Sequence, residues 1–184
     1  MRYNRCMEVE WKDFVKCSQA NQNAVAAQPS VKTVKQTGKN NPFNMRHYLQ
    51  GWLGEDSSGL GKGDMLNFSS PYYGWRAGAR NARNILLRLK ESGKTPTIRN
   101  FTPIYSPKNG DFKKNENNVK RHMKNISSLS RIGLDDEINP DDETQLFKFL
   151  TGLAMSESGF GSLNGMKAKD ILRAIRSGKK SVKK

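Results

Sequence analysis

The chain reads as a mainly helical domain with a small lobe of loops and a hairpin, flanked by arms. Two observations predict this. Apolar residues recur at three- and four-residue spacing in successive blocks between Tyr73 and Arg176, the stripe of a helix that buries one face. By contrast, Asn41 to Pro71 is full of Gly, Ser and Asn, with Trp52, Leu53, Met65, Leu66 and Phe68 as apolar islands, a pattern of loops and a short hairpin. The expected boundaries are an N-terminal arm and linker over 1–38, the domain over 39–177 and a basic tail over 178–184.

In the arm, Met7, Trp11, Phe14 and Val15 mark a short amphipathic helix over Glu8–Cys17. It is too short to be stable alone, and the Gln-, Asn- and Ala-rich stretch after it reads as a linker. Tyr73–Ser92 is a helix with Ala79, Ala82, Ile85, Leu86 and Leu89 on its apolar face, and Gly93 ends it. Thr97–Phe101 starts a short element that Pro103 and Pro107 break. Asn115–Ser130 is a helix with Val119, Met123, Ile126 and Leu129 on one face and Lys114, Lys120, Arg121 and Lys124 on another. The next helix opens at Asn139-Pro140-Asp141-Asp142-Glu143, with Asn as cap, Pro at the first position and acids in the first turn. Gly159 stops it, and Phe160 is placed to fold back on its last turn. Lys169–Arg176, with Ile171, Leu172 and Ile175, is the last helix.

Glu157 is the residue that most needs an explanation. Leu146, Phe149, Leu150 and Leu153 form the stripe of its helix, and Glu157 continues it, four residues after Leu153 and seven after Leu150. An acid on a buried face is desolvated, which raises its pKa. A carboxyl still protonated near neutral pH is what glycosidic cleavage asks of its general acid. The plainer alternative is a helix that frays before Glu157 and leaves the side chain in water. Second carboxylates are scarce: Glu55 and Asp56 follow Trp52-Leu53-Gly54 in the lobe and are the candidates to face Glu157, with Asp64 a weaker one. Tyr72, Tyr73, Tyr105 and Trp75 are candidates to stack on sugar rings, against the commoner fate of packing.

Charge narrows the partners. Lys and Arg number 32 against 17 acids, a net +15 over 184 residues, which points to a polyanion: nucleic acid, teichoic acid, anionic lipid or peptidoglycan. Cys6 and Cys17 do not form a disulfide framework, and His47 and His122 lack Cys or His neighbours at ligand spacing, so neither metal nor cofactor is expected. The basic start, Met1-Arg2-Tyr3-Asn4-Arg5, is not followed by the apolar run of a signal peptide, and no stretch approaches a membrane span.

One ordered set of motifs goes further: Asn40-Asn41-Pro42-Phe43-Asn44-Met45-Arg46, Trp52-Leu53-Gly54, Phe68-Ser69-Ser70-Pro71, Gly74-Trp75-Arg76-Ala77, Thr97-Ile98, Tyr105-Ser106-Pro107-Lys108-Asn109 and Glu157-Ser158-Gly159. It resembles a family of phage virion proteins described as structural or lysozyme-like, which open with Asn-Pro-Gly-Asn-Ile-Arg and Trp-x-Gly. Phe43 stands where that family has Gly, Tyr105 where it has Trp, and Lys108 where an acid is common. Glu157-Ser158-Gly159 is also similar to the segment of glucosaminidases and lytic transglycosylases in which Glu closes a helix as general acid. In those enzymes an Asn-containing stretch and Trp-x-Gly follow the Glu, whereas here Asn41–Ser70 precedes it, as in a circular permutation.

These resemblances imply a lysozyme-like domain, a virion location and peptidoglycan cleavage in the host envelope during genome delivery. Glu157 would be the acid, with Glu55 or Asp56 as a second group. Asn44, Arg46, Trp52, Tyr73 and Tyr105 would bind substrate, with Asn44, Arg46 or Trp52 close to Glu157. Packaged DNA and other virion proteins are further expected partners. The alternatives are a non-enzymatic internal or tail-associated virion protein and a basic nucleic-acid-binding protein.

Overall fold

Among the described residues, five helices follow one another after residue 70: α1 (Pro71–Glu91), α2 (Ile98–Tyr105), α3 (Phe112–Ser130), α4 (Glu143–Ser158) and α5 (Ala168–Lys179). The computed structural model describes residues 38–46, 51–56, 59–61, 64–106, 112–159, 163 and 165–179, all within the compact unit Val34–Lys184. The described residues contain no strand, and the protein is mainly helical. No helix among them is long and apolar enough to cross a membrane. The expected arm helix, the Phe160 fold-back, Lys108 and most of the basic tail lie outside the described residues.

The helices form two pairs, α1 against α5 and α3 against α4, with α2 touching both α1 and α3. In α1, Pro71 occupies the first turn, where its missing N–H costs nothing. Trp75, Ala79, Ala82, Leu86 and Leu89 turn inward. Gly93, with φ of +74°, ends the segment in a conformation that suits glycine. The helix α2 departs from expectation by running through Pro103 to Tyr105. Thr97 caps it by accepting from the Asn100 N–H at 3.1 Å, and buried Phe101 and Thr102 anchor it. Pro103 and Arg99 are both exposed, so the Arg99 carbonyl that loses its partner at Pro103 faces water.

Helix α4 is the core element. Its cap is Asp142 rather than Asn139: the Asp142 side chain accepts from the N–H groups of Thr144 (2.9 Å) and Gln145 (3.0 Å). Asn139 instead makes a local turn, accepting from the Asp141 N–H. Burial extends well beyond one stripe, since Phe147, Thr151, Gly152, Ala154 and Met155 are buried along with Leu146, Phe149, Leu150 and Leu153. Gly152 permits the close approach of α3, because a Cβ there would lie 2.7 Å from both Cβ and N of Ser130. Phe149 meets Phe101 edge-on at 4.9 Å, joining α4 to α2.

The expected domain end at residue 177 shifts, since α5 continues through Gly178 and Lys179. Gly178 packs on the α1 backbone, where a Cβ would come within 2.9 Å of the Arg76 carbonyl. Lys179 donates to the Asp141 carbonyl at 3.0 Å. These contacts make the first residues of the predicted tail part of the folded helix.

The lobe before α1 is built from isolated antiparallel bridges, Arg46 with Met65, Glu55 with Phe68 and Gly61 with Met65. Buried Asn41 holds its base. Its amide donates to the carbonyls of Met45 (2.8 Å) and Leu66 (2.9 Å), and its oxygen accepts from the Met45 N–H at 2.9 Å. Asn40 and Asn44 adopt positive φ, +55° and +47°, which Asn tolerates better than most residues. The resulting turn presses into α1: a Cβ on Gly74 would overlap the Asn40 carbonyl, and one on Gly78 would overlap the Phe43 ring. Phe43 meets Trp75 edge-on at 5.1 Å, so Trp75 is a core residue.

Gly78→Ala should therefore overpack the seat of Phe43 and destabilise the protein by about 1–3 kcal/mol. Urea unfolding measures this, and an unchanged midpoint would show that the turn is not seated on Gly78.

Candidate functional site

The last turn of α4 brings Glu157 against the lobe turn. Gly159 ends the helix with φ of +66° and its N–H bonded to the Met155 carbonyl. Just before it, the Ser158 hydroxyl donates to the Pro42 carbonyl at 3.0 Å. From the other side, the Tyr105 hydroxyl donates to the Phe43 carbonyl. The turn is thus tied to α4 and α2 while Phe43 is seated in α1. Asn44 then lies over the end of α4, and its amide donates to the Glu157 backbone carbonyl (2.8 Å) and to Glu157 Oε2 (3.1 Å).

The second neighbour of Glu157 is His122 of α3, whose Nε2 lies 3.1 Å from Oε1. The contact is close but bent, since Nε2 is buried and makes no hydrogen bond of ordinary geometry. The other ring nitrogen, Nδ1, is 3.2 Å from the Ser106 hydroxyl at the end of α2. Both side chains are largely covered, His122 with 15% and Glu157 with 16% of its surface exposed.

Burial sets the protonation. Desolvation raises the Glu157 carboxyl from 4.5 to about 7, against the Asn44 hydrogen bond and the positive charge of Arg46, which both lower it. The carbonyls at a helix C-terminus also disfavour an added negative charge. Desolvation lowers His122 from 6.5 to about 4. Between about pH 4 and pH 7 the pair is therefore a neutral acid beside a neutral imidazole, because two separated charges are costly in this setting.

The other sequence candidates are arranged as follows. Arg46 is exposed beside the lobe turn and acts on Glu157 through its charge. Glu55 Oε2 accepts from the N–H groups of Gly51 (3.0 Å) and Trp52 (3.2 Å), closing its own loop. Asp56 faces Lys39 across 3.8 Å. Neither carboxylate is among the described contacts of Glu157. Asp64 has φ of +61°, which places it in a turn. Tyr105 stacks on Phe101 at 5.2 Å, with its hydroxyl engaged by the Phe43 carbonyl. Tyr73 packs against Gly54 and meets Tyr72 edge-on at 5.4 Å, while Arg173 lies 5.3 Å from the centre of the Tyr72 ring. Trp52 is half-buried, and its indole Nε1 is buried without a hydrogen-bond partner.

His122 and Ser106 were not singled out for this site by the sequence. A signal for His122 was present: it lies three residues after Val119 and four before Ile126, on the inward face of α3. Its partner, Glu157, comes from another helix, which residue spacing along α3 does not reveal. Among the described residues no group of three or more His, Cys, Asp or Glu is arranged to hold a metal ion. No protein-family model matches this sequence, and no curated protein matches it.

The two shifted groups act on stability with opposite sign. Glu157 has a raised pKa when folded, so its contribution is full below 4.5 and is lost as pH rises through about 7. His122 has a lowered one, so its contribution is full above 6.5 and is lost as pH falls through about 4. Between 4.5 and 6.5 these slopes oppose, and Glu157→Gln removes only the first. The melting temperature of wild type should rise relative to that of Glu157→Gln as pH is lowered across that window. Thermal melts at the two ends measure it, and a constant difference would refute the raised carboxyl.

Proposed function

We propose that this protein is a virion-associated enzyme that cleaves the glycan strands of peptidoglycan, with Glu157 as general acid. The observation that carries this reading is a covered carboxyl at the end of α4, held by Asn44, whose burial raises its pKa to about 7. The ordered motifs from Asn40 to Gly159 support the same assignment and the lysozyme-like character of the helical domain. So does the closeness of Asn44 and Glu157, 113 residues apart in sequence. That contact joins the two motif blocks in the way a permuted glucosaminidase-like site requires.

The chemistry is a single-acid cleavage. The Glu157 proton passes to the glycosidic oxygen as the C–O bond breaks, and the bonding pair leaves with that oxygen. Oxocarbenium character develops at the sugar carbon. A hydroxyl from water or from the sugar itself closes that carbon and returns its proton to Glu157. The carboxylate formed in between is supported by the Asn44 amide and the charge of Arg46. A net charge of +15 suits anionic wall polymer, and packaged DNA within the particle. Action in the host envelope during genome delivery follows from this reading.

Glu157→Gln should keep the fold and lower wall cleavage by about a hundredfold or more. Zymography and turbidity loss on purified peptidoglycan test this. Undiminished lysis by the mutant would remove Glu157 as the acid, and an inactive wild type would favour a non-enzymatic virion protein.

Binding to wall polymer or to DNA should weaken steeply with added salt, because each neutralised anionic group releases counterions. Sedimentation with purified walls at rising ionic strength measures this. Salt-independent binding would show that the charge is not what holds the polymer.

A further inference from the structure

We propose that His122, held by Ser106, is a positioning residue for Glu157, and that imidazole and carboxyl form one buried unit with a single exchangeable proton. The inference rests on the reading of Glu157 as the acid. It adds what holds the carboxyl of the acid in place.

Geometry defines the role. The two groups that flank a scissile glycosidic bond stand at least about 5 Å apart. At 3.1 Å from Glu157 Oε1, His122 is therefore not the group across the bond. It is a neighbour on the same side. Its Nδ1 lies 3.2 Å from Ser106 Oγ, which fixes the ring between the end of α2 and the end of α4.

The same three side chains do not make a serine nucleophile. Residue 107 is Pro, so it has no N–H to hold an oxyanion beside Ser106. The imidazole is also largely covered.

The titratable and charged groups beside the pair come from two elements, Arg46 from the lobe and Tyr105 from α2. Lys120, Arg121 and Lys124, the nearest cations on α3, are exposed. Asn44 already occupies Oε2, which leaves Oε1 as the oxygen that meets His122. When Glu157 has given its proton to the leaving oxygen, its carboxylate is left in a covered site. The incoming hydroxyl gives its proton back to that carboxylate as its oxygen bonds to the sugar carbon. The returned proton lies between Oε1 and Nε2, and the site is again a neutral acid beside a neutral imidazole. No oxidant, reductant or metal enters the balance.

The test has an arm that does not need activity. With His47→Gln, His122 is the only imidazole in the chain, and its ring nitrogens can be followed by NMR as pH is raised. Their shifts should show an inflection near the Glu157 titration, at about 7, and Glu157→Gln should erase it. Identical curves with Glu and Gln would overturn the shared-proton unit, whether or not the protein cleaves peptidoglycan. An inflection in a protein without lytic activity would support the unit while removing the enzyme reading.

The second arm is the pH–rate profile. His122→Phe should lower turnover about tenfold and move the alkaline limb up by about one pH unit, because the carboxylate loses its polar neighbour. His122→Gln, which keeps a donor, should leave the limb near its wild-type position. Ser106→Ala should retain cleavage within about fivefold, since loosening the ring removes no reacting group. A limb unmoved in His122→Phe, or Ser106→Ala as inactive as Glu157→Gln, would overturn the positioning role.

Discussion

The site depends on one docking event: the Asn40–Arg46 turn wedged between α1 and the end of α4. Gly74 and Gly78 leave the space on α1, and Phe43 fills it beside Trp75. Ser158 and Tyr105 then bond the carbonyls of Pro42 and Phe43. Because these anchors come from α1, α2 and α4, the position of Asn44 is overdetermined. Its amide is delivered to Glu157 by packing, and the carboxyl is covered by the same packing. Coverage and hydrogen bonding act in opposite directions on the proton, and coverage prevails.

Much of the helical frame was legible because helices carry their own periodicity and punctuation. The apolar spacing of Tyr73–Ser92 and Asn115–Ser130 recovers α1 and α3 within a few residues, and Gly93 and Gly159 mark ends that do carry positive φ. Errors arose where tertiary context outweighs a local signal. Pro103 does not end α2, because its lost hydrogen bond falls on the solvent side while Phe101 is buried. Asn139-Pro140 has the look of a helix start, yet Asp142 has the side-chain geometry to satisfy two N–H groups. Gly178 reads as a tail residue until its backbone is seen lying on α1.

Within the site, the covered position of Glu157 is legible from its place in an apolar stripe, and the nearness of Asn44 only from the motif resemblance and the permuted order it implies. His122 carries no sequence signal for its role, because ligand spacing concerns neighbours in sequence whereas its partner comes from another helix. Glu55 was misleading for a related reason. A carboxylate three residues beyond Trp52 suits a cleft, but it equally suits a loop whose N–H groups need an acceptor. Sequence spacing does not separate these uses, and only the path of the chain does. Phe43, in a position where the resembling family carries Gly, is accommodated by the glycines opposite it on α1.

The Asn44–Glu157 contact also has a consequence for how the chain folds. Its two residues are 113 positions apart, and contacts of such long sequence separation are slow to form because a large loop must close first. Helices α3 and α4 are adjacent in the chain and can pair early. The lobe turn must wait for α1 and α4 to be in place together. Until then the Glu157 carboxyl lacks its cover and titrates as an ordinary surface acid. Its raised pKa is acquired at the end of folding, so a partly folded chain would carry an ordinary ionised acid at that position.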